Sequence, residues 1–334
     1  MKIKSIIALV TAIIFGALSG CVALVMKNTV DSLYHENAAK RFSEGEEYAQ
    51  FTVFLPESEK FTVDKVMYLR YKLEKALTDN SMEAASGARL YADAYSAYKD
   101  ITLESEASRS VSAKAVYIGG DYSMFRKELE YAPDITEELN HDRILMSEKA
   151  AWSLFGGYDL YGFGVSDGSN NFYISGVYSE EDSDENSAFY GNKVPCIIDM
   201  AKYPDMSISC YELIMVNPVK NFAKDVLVGA LELNEGKYLL VENSERFSVG
   251  NLYNKASTIL KADERLPEGI VLNPEEMTAR KKEKELSVML ILLTILVVYP
   301  IIYLLIQLFR LIRLIKGVSD KHIIGRIKNK FSYS

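Results

Sequence analysis

Two long stretches of the chain carry no charge at all, and they restrict its folds more than anything else in the sequence. Ser5 to Met26 runs for 22 residues and Leu286 to Phe309 for 24 without an Asp, Glu, Lys or Arg. At 1.5 Å per helical residue they reach roughly 33 and 36 Å, enough to cross a hydrocarbon core of about 30 Å. Membrane helices are therefore expected at residues 5–26 and 286–309. A large domain, residues 27–285, lies between them, with residues 1–4 ahead and a tail, 310–334, behind. A soluble cytoplasmic enzyme is disfavoured.

The flanking charges predict the orientation. Lys2 and Lys4 precede the first stretch, and Arg310, Arg313, Lys316, Lys321, Arg326, Lys328 and Lys330 follow the second against a single Asp320. Basic flanks stay cytoplasmic, so both termini are expected inside and residues 27–285 outside. The total of −8, less +2 at the start and +6 in the tail, leaves −16 for the outer domain. That acidity argues against nucleic-acid binding. Arg280, Lys281, Lys282 and Lys284 run against the rule at the outer edge of the second stretch, partly offset by Glu283 and Glu285. The first stretch has a second reading. Leu18-Ser19-Gly20-Cys21 matches a bacterial lipoprotein cleavage box, which would leave Cys21 as a lipidated N-terminus. The apolar run continues through Val22 to Met26, where a lipoprotein turns polar, and this favours a retained helix.

Between the spans, 49% apolar and 25% charged residues over the whole chain fit an ordinary folded domain. Val30, Leu33, Tyr34, Ala38 and Phe42 extend the first helix into a stalk. Phe51 to Leu55 reads as a strand, and Val66, Leu69, Leu73 and Leu77 mark a helix opening near Thr62 and ending by Asn80. Ile101–Leu103, Val111–Ile118 and Ile144–Met146 read as strands, the last followed by a helix that stops at Gly156. Tyr161–Val165 and Phe172–Tyr178 flank Asp167-Gly168-Ser169-Asn170, a hairpin signal. Further strands are predicted at 194–198, 208–216 and 237–241, and helices at 219–231 and 246–260. The irregular order of strands and helices predicts an α+β ectodomain, in one or two lobes, between two transmembrane helices.

Catalytic signatures are scarce. The three histidines, His35, His141 and His322, have no metal-ligand spacing. Asp182, Asp184 and Asn186 fit the start of a calcium loop, but Ser187 and Lys193 stand where Gly and Glu are required, so residues 180–186 read as a solvated acidic loop. No phosphate loop, dinucleotide fingerprint or nucleophile elbow is present. No enzyme activity, metal or cofactor is expected. Cys196 and Cys210 could form a disulfide closing a loop of about 15 residues and adding roughly 3 kcal/mol. Two isolated cysteines in a domain large enough to bury its own core are more often reduced and packed, and that is the expectation. Tyr91, Tyr95 and Tyr98 could present a carbohydrate- or peptide-binding face, although tyrosines more often fill partly buried surfaces. Pro300, within the second span, should kink that helix.

One succession of pieces is more specific. Ala115-Val116-Tyr117-Ile118 runs into Gly119-Gly120-Asp121, with Phe125 following. Next come Ile144-Leu145-Met146-Ser147-Glu148-Lys149-Ala150-Ala151-Trp152-Ser153-Leu154-Phe155-Gly156, then Tyr161-Gly162, then Phe172-Tyr173-Ile174-Ser175-Gly176-Val177-Tyr178. Over about 65 residues this resembles the MacB-like periplasmic core domain of ABC permeases of the MacB and FtsX type. The family has a helix ending Ala-x-x-Leu-Phe-Gly and a hairpin ending in a Val/Ile-x-Gly-Val strand. The order of short basic start, span, external domain and span extends the likeness over most of the chain. Two departures stand out: residues 128–140 lack the family's Gly-Arg pair, and 25 residues follow the second span where family permeases carry further spans.

The resemblance implies a non-catalytic subunit or accessory of an ABC export or mechanotransmission system. Its partners would be the lipid bilayer, an ABC ATPase or separate permease subunit, and a second copy in a homodimer. The alternative is a membrane-anchored extracytoplasmic binding or adhesion module independent of any ATPase. In the tail, Leu311, Ile312, Leu314, Ile315, Val318, Ile323, Ile324 and Ile327 interleave with the seven basic residues, a composition suited to docking on an anionic membrane or a cytoplasmic ATPase. Gly317 and Ser319 should divide that segment into two helical halves.

Overall fold

The computed structural model describes residues 3–42, 47–82, 89–133, 135–136, 141–234, 236–258 and 266–331, with side chains up to residue 313. The chain divides into two units, the apolar helices with part of a neighbouring helix, and the domain between them.

In the first unit the uncharged stretches lie within two long helices, α1 (Ile3–Ser32) and the last helix, α8 (Pro274–Phe331). Both are long and apolar enough to cross a membrane. Phe15 and Tyr299 pack with ring centroids 5.6 Å apart, and the Tyr299 hydroxyl donates to the Ala8 carbonyl at 3.4 Å. Lys4 and Ser5 share a hollow with Gln307 and Arg310, so the two helices run antiparallel. Cys21 is exposed on α1. Helix α8 passes Pro300 without a break. It also continues across Gly317 and Ser319, where the sequence predicted a division. A helix-interior Gly costs only about 1 kcal/mol, which good helix formers on both sides outweigh.

In the second unit, strands β1 (Tyr48–Phe54), β2 (Tyr91–Ser105), β3 (Ser110–Gly120), β4 (Arg143–Ser147), β5 (Gly164–Ser166), β6 (Asn171–Tyr178), β7 (Val194–Asp199), β8 (Cys210–Val216) and β9 (Leu239–Glu242) join one nine-stranded sheet. The helices are α2 (Ala38–Phe42), α3 (Val63–Asp79), α4 (Glu148–Phe155), α5 (Asp184–Tyr190), α6 (Phe222–Leu231) and α7 (Val249–Thr258), the last shared with the first unit. The long strand β2 pairs along one edge with β8 at one end and β5 at the other, and along its opposite edge with β3. Because β3 leads on through β7, β4 and β6 back to β5, six strands close into a ring from which β8, β1 and β9 extend.

Helix α3 buries Val66, Leu69, Leu73 and Leu77, one face at helical spacing, and each such side chain contributes about 2 kcal/mol by leaving water. These residues and α6 share a core with one face of the sheet. The opposite face, carrying Ala94, Val116, Ile118, Leu145, Ile197 and Ile214, is covered by α2 and the turns at residues 122–129. Helix α4 behaves as its sequence dictates. The Ser147 hydroxyl accepts from the Ala150 N–H, Ala150 and Ala151 are fully buried, and Gly156 takes the left-handed conformation (φ +72°) that ends the helix.

Cys196 and Cys210 are unbonded, buried thiols, the packed arrangement rather than the possible disulfide. Cys196 on β7 stands opposite Ala115 on β3, and Cys210 on β8 stands opposite Ser96 on β2, with β2 and β3 between. Three strand spacings amount to roughly 14 Å, beyond the reach of a disulfide.

Candidate functional site

Helix α1 gives way after Ser32 to a single 3-10 turn, His35–Asn37, which leads into α2. This turn directs two charged side chains inward: His35 and Glu36 are 7% and 6% exposed. The His35 Nδ1 lies 3.0 Å from Glu36 Oε1, and its Nε2 is hydrogen-bonded to Glu212 Oε1 on β8. An ionised carboxylate only accepts, so both ring nitrogens must donate, and His35 is an imidazolium. Burial disfavours that charge, but the charge and hydrogen bond of Glu212, reinforced by Glu36, override it and push the His35 pKa up to about 10.

Glu212 is completely buried in the otherwise apolar strand Cys210–Val216. Arg126 grips it with two parallel contacts, Nη1 to Oε1 at 3.0 Å and Nη2 to Oε2 at 3.1 Å. Burial would raise the Glu212 pKa, yet Arg126 and His35 together pull it down to about 2. The Arg126 Nε also lies 3.0 Å from Glu275, at the start of α8, in an ion pair off the hydrogen-bonding direction.

A second node adjoins the first. Asn243 donates to Glu36 Oε2 at 3.0 Å and accepts from Thr52 on β1 at 3.1 Å. Arg246 holds Glu276 through Nη1 to Oε2 at 2.6 Å and Nη2 to Oε1 at 3.1 Å, with Glu36 at 3.9 Å and Glu283 at 3.5 Å. Arg280 donates to Glu276 Oε1 at 2.6 Å, while Asn273 caps the Glu276 N–H at 2.8 Å. Gln50 on β1 donates to the His35 carbonyl at 2.7 Å and accepts from the Ala39 N–H at 3.2 Å. The segment after α1, strand β8, the turn at Arg126, the chain after β9 and the first turns of α8 are thus joined by ion pairs and charge-assisted bonds, and β1 is tied to them by neutral hydrogen bonds. With both ring nitrogens engaged, His35 offers no free base at neutral pH. The arrangement can hold one geometry and resist others.

Of the residues singled out in the sequence, His35, Arg280 and Glu283 belong to this network, and none of the candidate docking residues does. Arg310 and Arg313 are exposed on α8. Lys316, Lys321, Arg326, Lys328 and Lys330 lie on the same helix, and their side chains fall outside the described residues. Arg280 and Lys281, which run against the charge rule, are engaged within the domain, Lys281 with Glu185 at 2.8 Å. The three tyrosines form no common face. Tyr91 and Tyr95 share one side of β2 and Tyr98 takes the other, as strand alternation requires. The acidic stretch read as a loop ends in the first residues of α5, whose N-cap is the Ser183 hydroxyl accepting from the Asn186 N–H at 3.1 Å. Among the described residues no group of three or more His, Cys, Asp and Glu could hold a metal ion. The one available signal for the network was a charge inside an apolar run, Glu212 within Leu213-Ile214-Met215 and its neighbours, or Arg126 after Phe125.

No family model and no curated protein matches the chain. Among solved structures, it is similar to the periplasmic region of MacB from Actinobacillus actinomycetemcomitans, at 12% identity and a TM-score of 0.39, covering 67% of this chain and 97% of that one. The extracellular domain of the noncanonic ABC-type transporter YknZ from Gram-positive bacteria is similar at 14% identity and a TM-score of 0.38, over 58% of this chain and 100% of that one. A domain of a permease protein from Porphyromonas gingivalis gives 11% identity and a TM-score of 0.33, over 58% and 86%. With TM-scores below 0.5 they decide no role, and the functional reading rests on the chain's own geometry.

Proposed function

We propose that this chain is a two-pass membrane protein of the MacB-like permease type, with residues 1–4 and 310–334 cytoplasmic and residues 27–285 outside. In this reading it serves as a non-catalytic subunit or accessory of an ABC export or mechanotransmission system. The buried charge network carries the proposal. It fastens the segment that follows α1 and the segment that begins α8 to the same two strands, β1 and β8. A displacement at either segment must move the sheet or break buried ion pairs, at a cost of about 3–5 kcal/mol for each partner lost. A merely anchored domain does not need such a tie. The basic tail, Arg310 to Lys330, then docks on anionic lipid or on the ATPase.

Recovery of the full chain in mild detergent, with partners identified by mass, tests the assignment. An ABC ATPase is expected at stoichiometric yield, and recovery of the chain without one contradicts the subunit role. The orientation is tested with Cys21→Ser as background, since Cys196 and Cys210 are buried. A membrane-impermeant maleimide on intact cells should label Tyr131→Cys, which replaces a side chain 92% exposed, and should spare Ser332→Cys. Labelling of the Ser332 position contradicts the two-pass orientation.

A further inference from the structure

On the sheet face opposite α3 and α6 lies a cavity of about 290 Å³. Its walls include four tyrosines from four different elements: Tyr98 of β2, Tyr122 of the turn after β3, Tyr178 of β6 and Tyr190 of α5. Glu128 and Glu275 face the same space. Tyr122 and Tyr178 are 5% and 7% exposed, yet among the described residues neither hydroxyl has a hydrogen-bond partner. Neither oxygen is sealed off from solvent, so both hydroxyls open onto the cavity. The Tyr98 hydroxyl has only the Ser96 hydroxyl, at 3.2 Å.

Of the two carboxylates, Glu275 is paired with Arg126, whereas Glu128, among the described residues, is not paired. Glu128 remains reachable by solvent and has no ion-pair partner among the described residues. Surrounding protein and the like charge of Glu275 push its carboxyl above the usual range. Nearby cations do not answer it. Arg126, 4.6 Å from the Tyr122 ring, is committed to Glu212 and Glu275, while Lys149 pairs with Glu180 at 2.9 Å and Lys193 with Asp100. The rings and open hydroxyls of Tyr122 and Tyr178, with the unpaired Glu128 carboxylate, turn electron-rich groups toward the cavity. What such a lining lacks is a cation with an apolar body, which gains from the ring quadrupoles and the carboxylate together.

We propose that this cavity binds a small organic ammonium ion, seated among Tyr98, Tyr122, Tyr178 and Tyr190 with its charge toward Glu128 and Glu275. The site goes beyond the subunit role and stands or falls apart from it. The full chain in phosphatidylglycerol nanodiscs is titrated by calorimetry with choline, with n-butylammonium and with 3,3-dimethylbutan-1-ol, the neutral isostere of choline. Saturable binding of at least one cation is expected, with the alcohol at least tenfold weaker than choline if choline is that cation. Glu128→Gln should weaken the cation at least fivefold and leave the alcohol unchanged. Tyr178→Phe, which keeps the aromatic face, should stay within about threefold of wild type, whereas Tyr178→Leu should lose binding. Equal affinity for choline and the alcohol, no binding of either cation, or cation binding indifferent to Glu128→Gln overturns the proposal. Glu128 lies at the open side of the cavity, so its variant keeps the test valid if Tyr178→Leu fails to fold.

Discussion

His35 shows how much one residue can carry when its neighbours decide its charge. Its folded pKa of about 10 lies above its ordinary 6.5, so its contribution to stability is complete below pH 6.5, shrinks as pH rises, and is gone by about pH 10. Glu212, drawn from 4.5 down to about 2, contributes fully above pH 4.5 and loses that contribution as pH falls toward 2. Both are complete only between about pH 4.5 and 6.5. His35→Gln is therefore expected to cost about 3 kcal/mol near pH 6, by leaving Glu212 and Glu36 one cation short. The deficit relative to wild type should narrow steadily toward pH 10. Melting curves of both proteins across pH 5–10 check this, and a deficit that stays constant with pH contradicts the charged imidazole. Arg126 differs in kind, because its guanidinium is charged at every accessible pH and its role is geometric, two parallel bonds to one carboxylate.

At the scale of elements, local chemistry was legible wherever neighbouring residues decided the outcome. The spacing of Val66, Leu69, Leu73 and Leu77 gave α3 nearly to its ends, and Asp167 to Asn170 gave the turn between β5 and β6, where the Asp167 carboxylate accepts from the Ser169 and Asn170 N–H groups at 2.9 and 2.7 Å. Strand β2 was harder to read. The tyrosine-rich stretch before Ile101 belongs to one strand of 15 residues. Its pattern is broken by Asp93, a buried carboxylate held by Arg70 Nε at 2.9 Å and by the Tyr211 hydroxyl at 3.0 Å, both distant in sequence. The doublet Gly119-Gly120 closes β3 and lets β2 and β3 approach. A Cβ at Gly119 would lie 2.2 Å from the Tyr95 ring, and Gly120 has φ +70° with the Asp93 carbonyl 2.4 Å from where its Cβ would be. The parallel pairings β3–β7 and β4–β6, which help close the ring, left no local trace because each joins strands far apart in the chain. The same holds for the network: Glu212 and His35 are 177 positions apart, and no periodicity links them.

For the whole molecule, the two uncharged stretches set the plan, and the buried network joins the ends of the domain between them to its sheet. The central claim is that the segment after α1, strand β8 and the first turns of α8 behave as one unit. Hydrogen exchange of the full chain in nanodiscs, wild type against Glu276→Gln, tests it most directly. The substitution loosens the Arg246 clamp while leaving the Asn273 cap in place. Faster exchange is expected in residues 35–42 and 210–216 together with 274–283, by about tenfold in each, because opening one part of a shared charge network lowers the protection of all its members. Faster exchange confined to 274–283, with residues 35–42 and 210–216 unchanged, would contradict the claim.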